Sequence, residues 1–214
     1  MESYLYHMHR LVFITIVLQI LTSLASSAQT QDLEYRIVWK NDSVGHLQVA
    51  QYDSSGFAIY RIDSEVEIWF FGTKNIRYNY YSRYQQGKLV RSTTRYTKNE
   101  QIKAQSSLRW ENGEYDIWVD GDKQEIAENE LIDCSVTTIY VHEPQSRNKI
   151  FSERFGQFLT VTELAPHHYA IGKPDGRPTE YIFKNGICSK VIVDNFFATF
   201  IFERVRKPDI GLRN

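Results

Sequence analysis

Cysteine and proline are scarce: the 214 residues hold two of the first and five of the second. Cys134 and Cys188 alone are too few for a structural zinc site, which takes four ligands. Neither lies in a CxxC motif, so a dithiol redox centre is excluded. With so little proline and no low-complexity tract, the chain has no Pro-rich linker. Charge of one sign is also missing. Lys and Arg number 25 against 26 Asp and Glu, for a net charge of -1. That removes the electrostatic case for a nucleic-acid partner. No GxSxG elbow, HExxH pair, P-loop or GxGxxG occurs, so the commonest hydrolase, metalloprotease and nucleotide-binding signatures are absent. No catalytic residue, metal ligand or cofactor is assigned.

Long hydrophobic runs are confined to the beginning. Met1 to Arg10 is polar and ends on a cation, and Leu11 to Leu24 is a run of roughly fourteen residues broken by Gln19. About twenty are needed to span a bilayer. Small residues follow at Ala25, Ser26, Ser27 and Ala28. Together these predict a signal peptide over 1–28, cut after Ala28. The alternative is an uncleaved anchor. The expected mature protein is periplasmic or secreted, with peripheral or no membrane association. Such a compartment permits a Cys134–Cys188 disulfide, though sequence cannot bring the two together. The other reading is two buried free thiols.

What the chain does have is aromatic side chains: 14 Tyr, 12 Phe and 4 Trp. These favour half-buried pleated surfaces. From Leu33 the period is two. Ala58, Tyr60, Ile62, Ser64, Val66 and Ile68 fall on one side, against Arg61, Asp63, Glu65 and Glu67 on the other. A helix would smear those charges into its core, whereas a strand sorts them. Those mid-strand charges also exclude a transmembrane barrel, whose outer face is an apolar band. Polar turns separate successive strands, and Asn112-Gly113 is a hairpin signal. The prediction is an all-β antiparallel meander of about ten or eleven strands. It forms a barrel or curved half-barrel, with a two-sheet sandwich as competitor.

The rhythm breaks over 125–141, where the apolar spacing predicts a short helix ended by Pro144. Ser189 to Glu203 reads as one long final strand. The domain organisation is therefore 1–28 signal peptide, 29–205 a single barrel-like domain, and 206–214 a polar tail.

The order of four stretches, Tyr35 to Val49, Gly87 to Tyr96, Thr137 to Pro144 and Lys173 to Ile187, resembles an uncharacterised family of secreted domains of unknown function from Gram-negative bacteria. The strand-Gly-strand opening is also similar to a broader family of envelope β-barrel proteins. The resemblance implies a curved barrel reminiscent of periplasmic lipoprotein carriers, and it implies no activity.

Candidate ligand-binding residues lie on the predicted inner face. Tyr60, Tyr78, Tyr80, Tyr96 and Trp110 are the large groups, and Ser64, Ser82 and Thr94 belong to a hydroxyl belt with Ser92 and Ser106. Rings would enclose an apolar molecule, and hydroxyls would orient its head. Alternatively the hydroxyls bond one another in a filled barrel. His167-His168 near His142-Glu143 reads as surface histidines, since neighbours on a strand point apart. Asp175 in Pro174-Asp175-Gly176 is first of all a turn residue. Three functions remain in play. The first is a non-enzymatic protein binding a lipid or other apolar molecule. The second is an envelope scaffold binding a partner protein through outward aromatics such as Trp69, Phe71 and Tyr81. The third is a hydrolase of an envelope substrate, whose mark would be a cleft in which Asp175, Glu143, His142 or His168 converge.

Overall fold

A computed structural model describes residues 30–69, 72–126, 130–195 and 198–205. The expected signal peptide 1–28 with its cut after Ala28, the expected tail 206–214, and Phe71 lie outside the described residues. The described strands are β1 (Gln31–Trp39), β2 (Asp42–Ser54), β3 (Phe57–Trp69), β4 (Thr73–Gln85), β5 (Lys88–Lys98), β6 (Gln101–Glu111), β7 (Glu114–Val119), β8 (Asp122–Gln124), β9 (Lys149–Ser152), β10 (Gln157–Ala165), β11 (His168–Ile171), β12 (Thr179–Lys184), β13 (Ile187–Asn195) and β14 (Ala198–Val205). All fourteen form one sheet in the order β8-β7-β6-β5-β4-β3-β2-β1-β14-β13-β12-β11-β10-β9.

The all-β antiparallel meander is as expected, but it has fourteen strands instead of ten or eleven. Two hairpins account for much of the difference. Asp120 and Gly121 both take positive φ, and this tight turn starts the short β8. The segment Ser189 to Glu203 is two strands, with the chain folded back so that Asn195 faces Ala198. Thr199 Oγ1 donates to Asp194 Oδ1 at 2.9 Å across that hairpin. The apolar run therefore spans two paired strands rather than one. Asn112 and Gly113 both take positive φ, as the Asn-Gly hairpin signal requires.

The first and last strands meet mid-sheet. β1 pairs with β14 from Glu34↔Val205 to Val38↔Ile201, and Tyr35 donates from its hydroxyl to the Cys188 carbonyl at 2.7 Å. Tyr35 and Ile37 are fully buried there. Each apolar side chain so buried contributes about 1.5–3 kcal/mol. Gly45 sits where β2 approaches β3 so closely that a Cβ would lie 2.1 Å from the Glu65 carbonyl.

The sheet is barrel-like but its edges, β8 and β9, do not pair. Two devices span the gap. The first is residues 130–148, which cross the end of the barrel where β5 begins and β12 ends. Leu89 N–H donates to the Ile132 carbonyl at 2.8 Å, and Glu143 N–H donates to the Gly186 carbonyl at 3.2 Å. Residues 134–136 also cover the free edge of β9, with Phe151 N–H on the Cys134 carbonyl and Val136 N–H on the Phe151 carbonyl, both at 3.0 Å. The second device is the β9–β10 turn, Glu153 to Gly156, which reaches the opposite edge. Gly156 (φ +63°) presses so close that a Cβ would stand 2.7 Å from Val119 Cγ2. Arg154 pairs with Asp120 at 2.9 Å.

The predicted helix over 125–141 is a correction. Only a 3-10 turn, Thr138–Tyr140, forms among the described residues there. Val136, Thr137, Thr138 and Ile139 are consecutive β-branched residues, poor helix formers. Their apolar neighbours are buried on more than one side: Ile132, Ile139 and Tyr140 are at most 5% exposed. A segment that fills a barrel needs no single apolar face. Cys134 and Cys188 are free and buried, with no disulfide between them. Cys134 Sγ lies 3.6 Å from Thr138 Oγ1, and Cys188 Sγ donates to the Lys190 carbonyl at 3.5 Å.

Candidate functional site

With one end of the barrel crossed by residues 130–148, the interior is a cup. Strand directions put the ends of β3, β5, β11 and β13 and the starts of β4, β12 and β14 at its open mouth. Inside is a cavity of about 810 Å³, within the ~300–1,000 Å³ range of small-molecule sites. Apolar walls come from both halves of the sheet, with Ile62 and Val66 facing Val191 and Phe202. The floor is Val136 and Tyr140 from the crossing segment, with Arg154 and Phe155 from the β9–β10 turn.

Of the eight candidate ligand-binding residues, Ser64, Tyr78, Tyr80 and Tyr96 line this cavity. Tyr78 and Tyr96 are stacked, with centroids 4.5 Å apart and planes 11° apart. Burial, reinforced by Tyr96, pushes the Tyr78 phenol up to about 12. Burial likewise holds Tyr80 and Tyr181 well above the usual phenol range. These groups present neutral hydroxyls to the cavity at physiological pH.

The other four candidates do not line the cavity. Tyr60 packs edge-on against Tyr84 at 5.5 Å and meets His142 Nε2 through its hydroxyl at 3.2 Å. Trp110 packs on Tyr115 and lies under the Lys88 ammonium. Ser82 and Thr94 serve a polar hub that sequence reasoning missed. Glu153 is 2% exposed. Its Oε1 accepts from Ser82 Oγ at 2.9 Å, Ser135 Oγ at 2.5 Å, and the hydroxyl and N–H of Thr137 at 2.5 and 3.3 Å. Tyr84 donates in turn to Ser135 Oγ at 2.7 Å. Ser106 gives its proton to the Glu153 carbonyl at 2.5 Å, so in the 2.6 Å pair with Thr94 the threonine is the donor. Glu153 Oε2 and Ser92 Oγ are buried without a hydrogen-bond partner among the described residues.

The hub joins β4, β5 and β6 of the wall to the crossing segment and the β9–β10 turn. A charged residue ending a buried strand, opposite a wall of hydroxyls, was the available sequence signal.

The remaining polar candidates are scattered. His167 Nδ1 and the Tyr169 hydroxyl meet Glu143 Oε1 at 2.8 and 2.9 Å, at the closed end. His168 turns instead to Glu180 at 2.8 Å. Asp175 is at the mouth, 4.0 Å from the Lys173 ammonium. Asp175, Glu143, His142 and His168 thus take separate partners and share no cleft. Among the described residues no group of three His, Cys, Asp or Glu side chains is arranged to hold a metal ion.

A family model, domain of unknown function (DUF6134), matches residues 35–205. The chain belongs to that family. The match spans every strand from the middle of β1 to the end of β14, so the DUF6134 domain is the cup itself. Among solved structures, the chain is similar to a β-barrel-like protein of domain of unknown function DUF1849 from Brucella abortus. They share 10% identity over 84% of this chain and 96% of that one, with a TM-score of 0.50. That likeness shows the fold alone. No curated protein matches the DUF6134 chain by sequence.

Proposed function

We propose that this DUF6134 protein is a non-enzymatic binder of a lipid or other apolar molecule, held in the cup, and that it works in the periplasm or as a secreted protein. The observation that carries the reading is the cavity of about 810 Å³ with apolar walls, a closed floor and an open mouth. A carrier needs this arrangement: apolar area buried on loading supplies affinity, at about 25 cal/mol per Å² before the costs of association. The export half of the reading rests on the sequence of residues 1–28.

The test is titration of delipidated protein with a fluorescent fatty-acid probe. One saturable site, lost in Val193→Trp, supports the reading, because Val193 is on the cavity wall. Non-saturable binding, or binding unchanged in that variant, would refute it.

A second reading, an envelope scaffold, is favoured by a different face. Tyr81 and Trp118 line an outer cleft of about 620 Å³ with Arg61, Asp63 and Arg95, and Trp118 is 43% exposed. Crosslinking from position 118 in cells tests it. Recovery of no envelope partner would count against it.

A further inference from the structure

Charge is distributed unevenly around the cup. Five ionisable residues other than tyrosine line the cavity: Lys74, Lys98, Arg154, Lys173 and Asp175. Arg154 is taken by Asp120 at 2.9 Å. Lys173 donates to the Asp194 carbonyl at 3.1 Å and has Asp175 at 4.0 Å. Lys74 and Lys98 are left. Among the described residues, neither has an acceptor in hydrogen-bond reach or a carboxylate within 4 Å.

Their placement follows from register. Lys98 on β5 faces Ile76 on β4, and Lys74 precedes Ile76 by two residues. The two lysines are therefore diagonal neighbours on the inner face. Both side chains are partly buried at the mouth, so their stems lie on apolar wall and their ammonium groups stand at its upper margin. Two like charges side by side repel, and water screens them less here than on an open surface. Ile68 stands beside Lys74 and Ile76 beside Lys98, and the Tyr78–Tyr96 stack is the next step down the wall. From the mouth inward, cations set among aliphatic side chains give way to aromatic rings.

We infer that the ligand of the cup is an amphiphile with an anionic head, a carboxylate or phosphate held between Lys74 and Lys98, and a hydrocarbon tail running toward Phe155 and Tyr140. This rests on the apolar-ligand reading and adds the sign and position of the head. The tail supplies affinity independent of the head's charge, and the lysines supply discrimination.

The experiment is displacement of N-phenylnaphthylamine, a neutral probe, from delipidated protein by dodecanoate, dodecyl phosphate, dodecanol and inorganic phosphate. The wild type should release the probe to the anionic amphiphiles at about tenfold lower concentration than to dodecanol, as expected for two partly screened ion pairs. Lys74→Gln with Lys98→Gln should bring all three amphiphiles within about twofold of one another. Dodecanol displacement should stay unchanged, which also shows that the variant is folded. Equal displacement by dodecanol and dodecanoate in the wild type would overturn the inference while leaving the apolar-ligand reading intact. So would a preference that survives in the double variant. Displacement by inorganic phosphate at dodecyl phosphate concentrations would show a free-anion site and overturn the amphiphile assignment. Failure of the probe and of every amphiphile to bind would refute both readings together.

Discussion

Glu153→Ala is the substitution that most directly probes how the cup is held shut. The side chain is 2% exposed, and its Oε1 collects the hydroxyls of Ser82, Ser135 and Thr137 and the N–H of Thr137. Alanine removes the acceptor and leaves these four donors in a dry site. Each buried donor without a partner costs about 1–3 kcal/mol. The hydroxyls can rotate toward one another, as Ser135 and Thr137 already lie 3.1 Å apart, so the sum is not reached. Removal of a buried carboxyl whose Oε2 has no partner also returns some desolvation free energy. The expected net loss is about 3–5 kcal/mol, a large share of a stability of ~5–15 kcal/mol. Glu153→Gln keeps the shape and one carbonyl acceptor, and should cost about 1–2 kcal/mol. Guanidinium denaturation of both variants, with m-values compared, checks this. Ser135→Ala alone and combined with Glu153→Ala completes a cycle whose coupling should exceed about 1 kcal/mol. A loss below about 1 kcal/mol for Glu153→Ala would refute the hub as an anchor. An equal loss in the glutamine variant would show that its shape and carbonyl acceptor do not preserve it.

Gly156→Ala should destabilise by about 2 kcal/mol or more, since the new Cβ meets Val119 at positive φ; thermal melts would check it, and an unchanged Tm would contradict the contact. Burial pushes the Cys188 thiol up to about 12 and raises that of Cys134, so native protein should leave a thiol reagent untouched at pH 8. Unfolding without reductant should release two titratable thiols, and finding none would mean a disulfide. His142 packs edge-on against Tyr60 at 6.1 Å, and burial lowers its pKa from the ordinary 6.5. The unfolded chain then binds the proton first, so this histidine's contribution is complete above about pH 6.5 and lost as pH falls through its folded value. His142→Gln should flatten that part of the stability profile, and an identical profile would remove the histidine from the account.

The strands were legible in the sequence because period-two alternation is local. Residues two apart point the same way whatever the rest of the fold does, so Tyr60, Ile62, Ser64 and Val66 had to share a face, and all four are buried. Ser64, Tyr78, Tyr80 and Tyr96 line the cavity for the same reason. Long-range relations were not legible. Nothing near Tyr35 indicates that β1 lies beside β14, and nothing near Ile132 indicates that it will bond Leu89. The inner wall was read as one uniform belt. It divides instead by what enters the barrel beside it: Ser64, Tyr78, Tyr80 and Tyr96 face the cavity, whereas Ser82 and Ser106 meet Glu153 and Thr94 bonds Ser106. That division depends on where the β9–β10 turn enters, and it enters from residues far along the chain.

Strand number explains why a hub and a cavity occur together. About eight strands make a barrel that side chains alone can fill. Fourteen strands curled on one another leave more space than their inward residues occupy. Backbone has to enter, and here it enters as the Thr138–Tyr140 turn and the Glu153 to Gly156 turn. Backbone brought into an interior carries N–H and carbonyl groups that need partners. Ser106 meets the Glu153 carbonyl, and the Glu153 carboxyl meets the Thr137 N–H. Ser82 and Ser106 of the hydroxyl belt are thus required by the inserted segments, on the wall at the level where Glu153 enters. Toward the mouth no inserted segment enters among the described residues. The wall there needs no hydroxyls to satisfy backbone, and it turns to Ile68, Ile76 and Phe200. The cavity is the part of an over-wide barrel that the described residues do not fill, and its apolar walls follow from that.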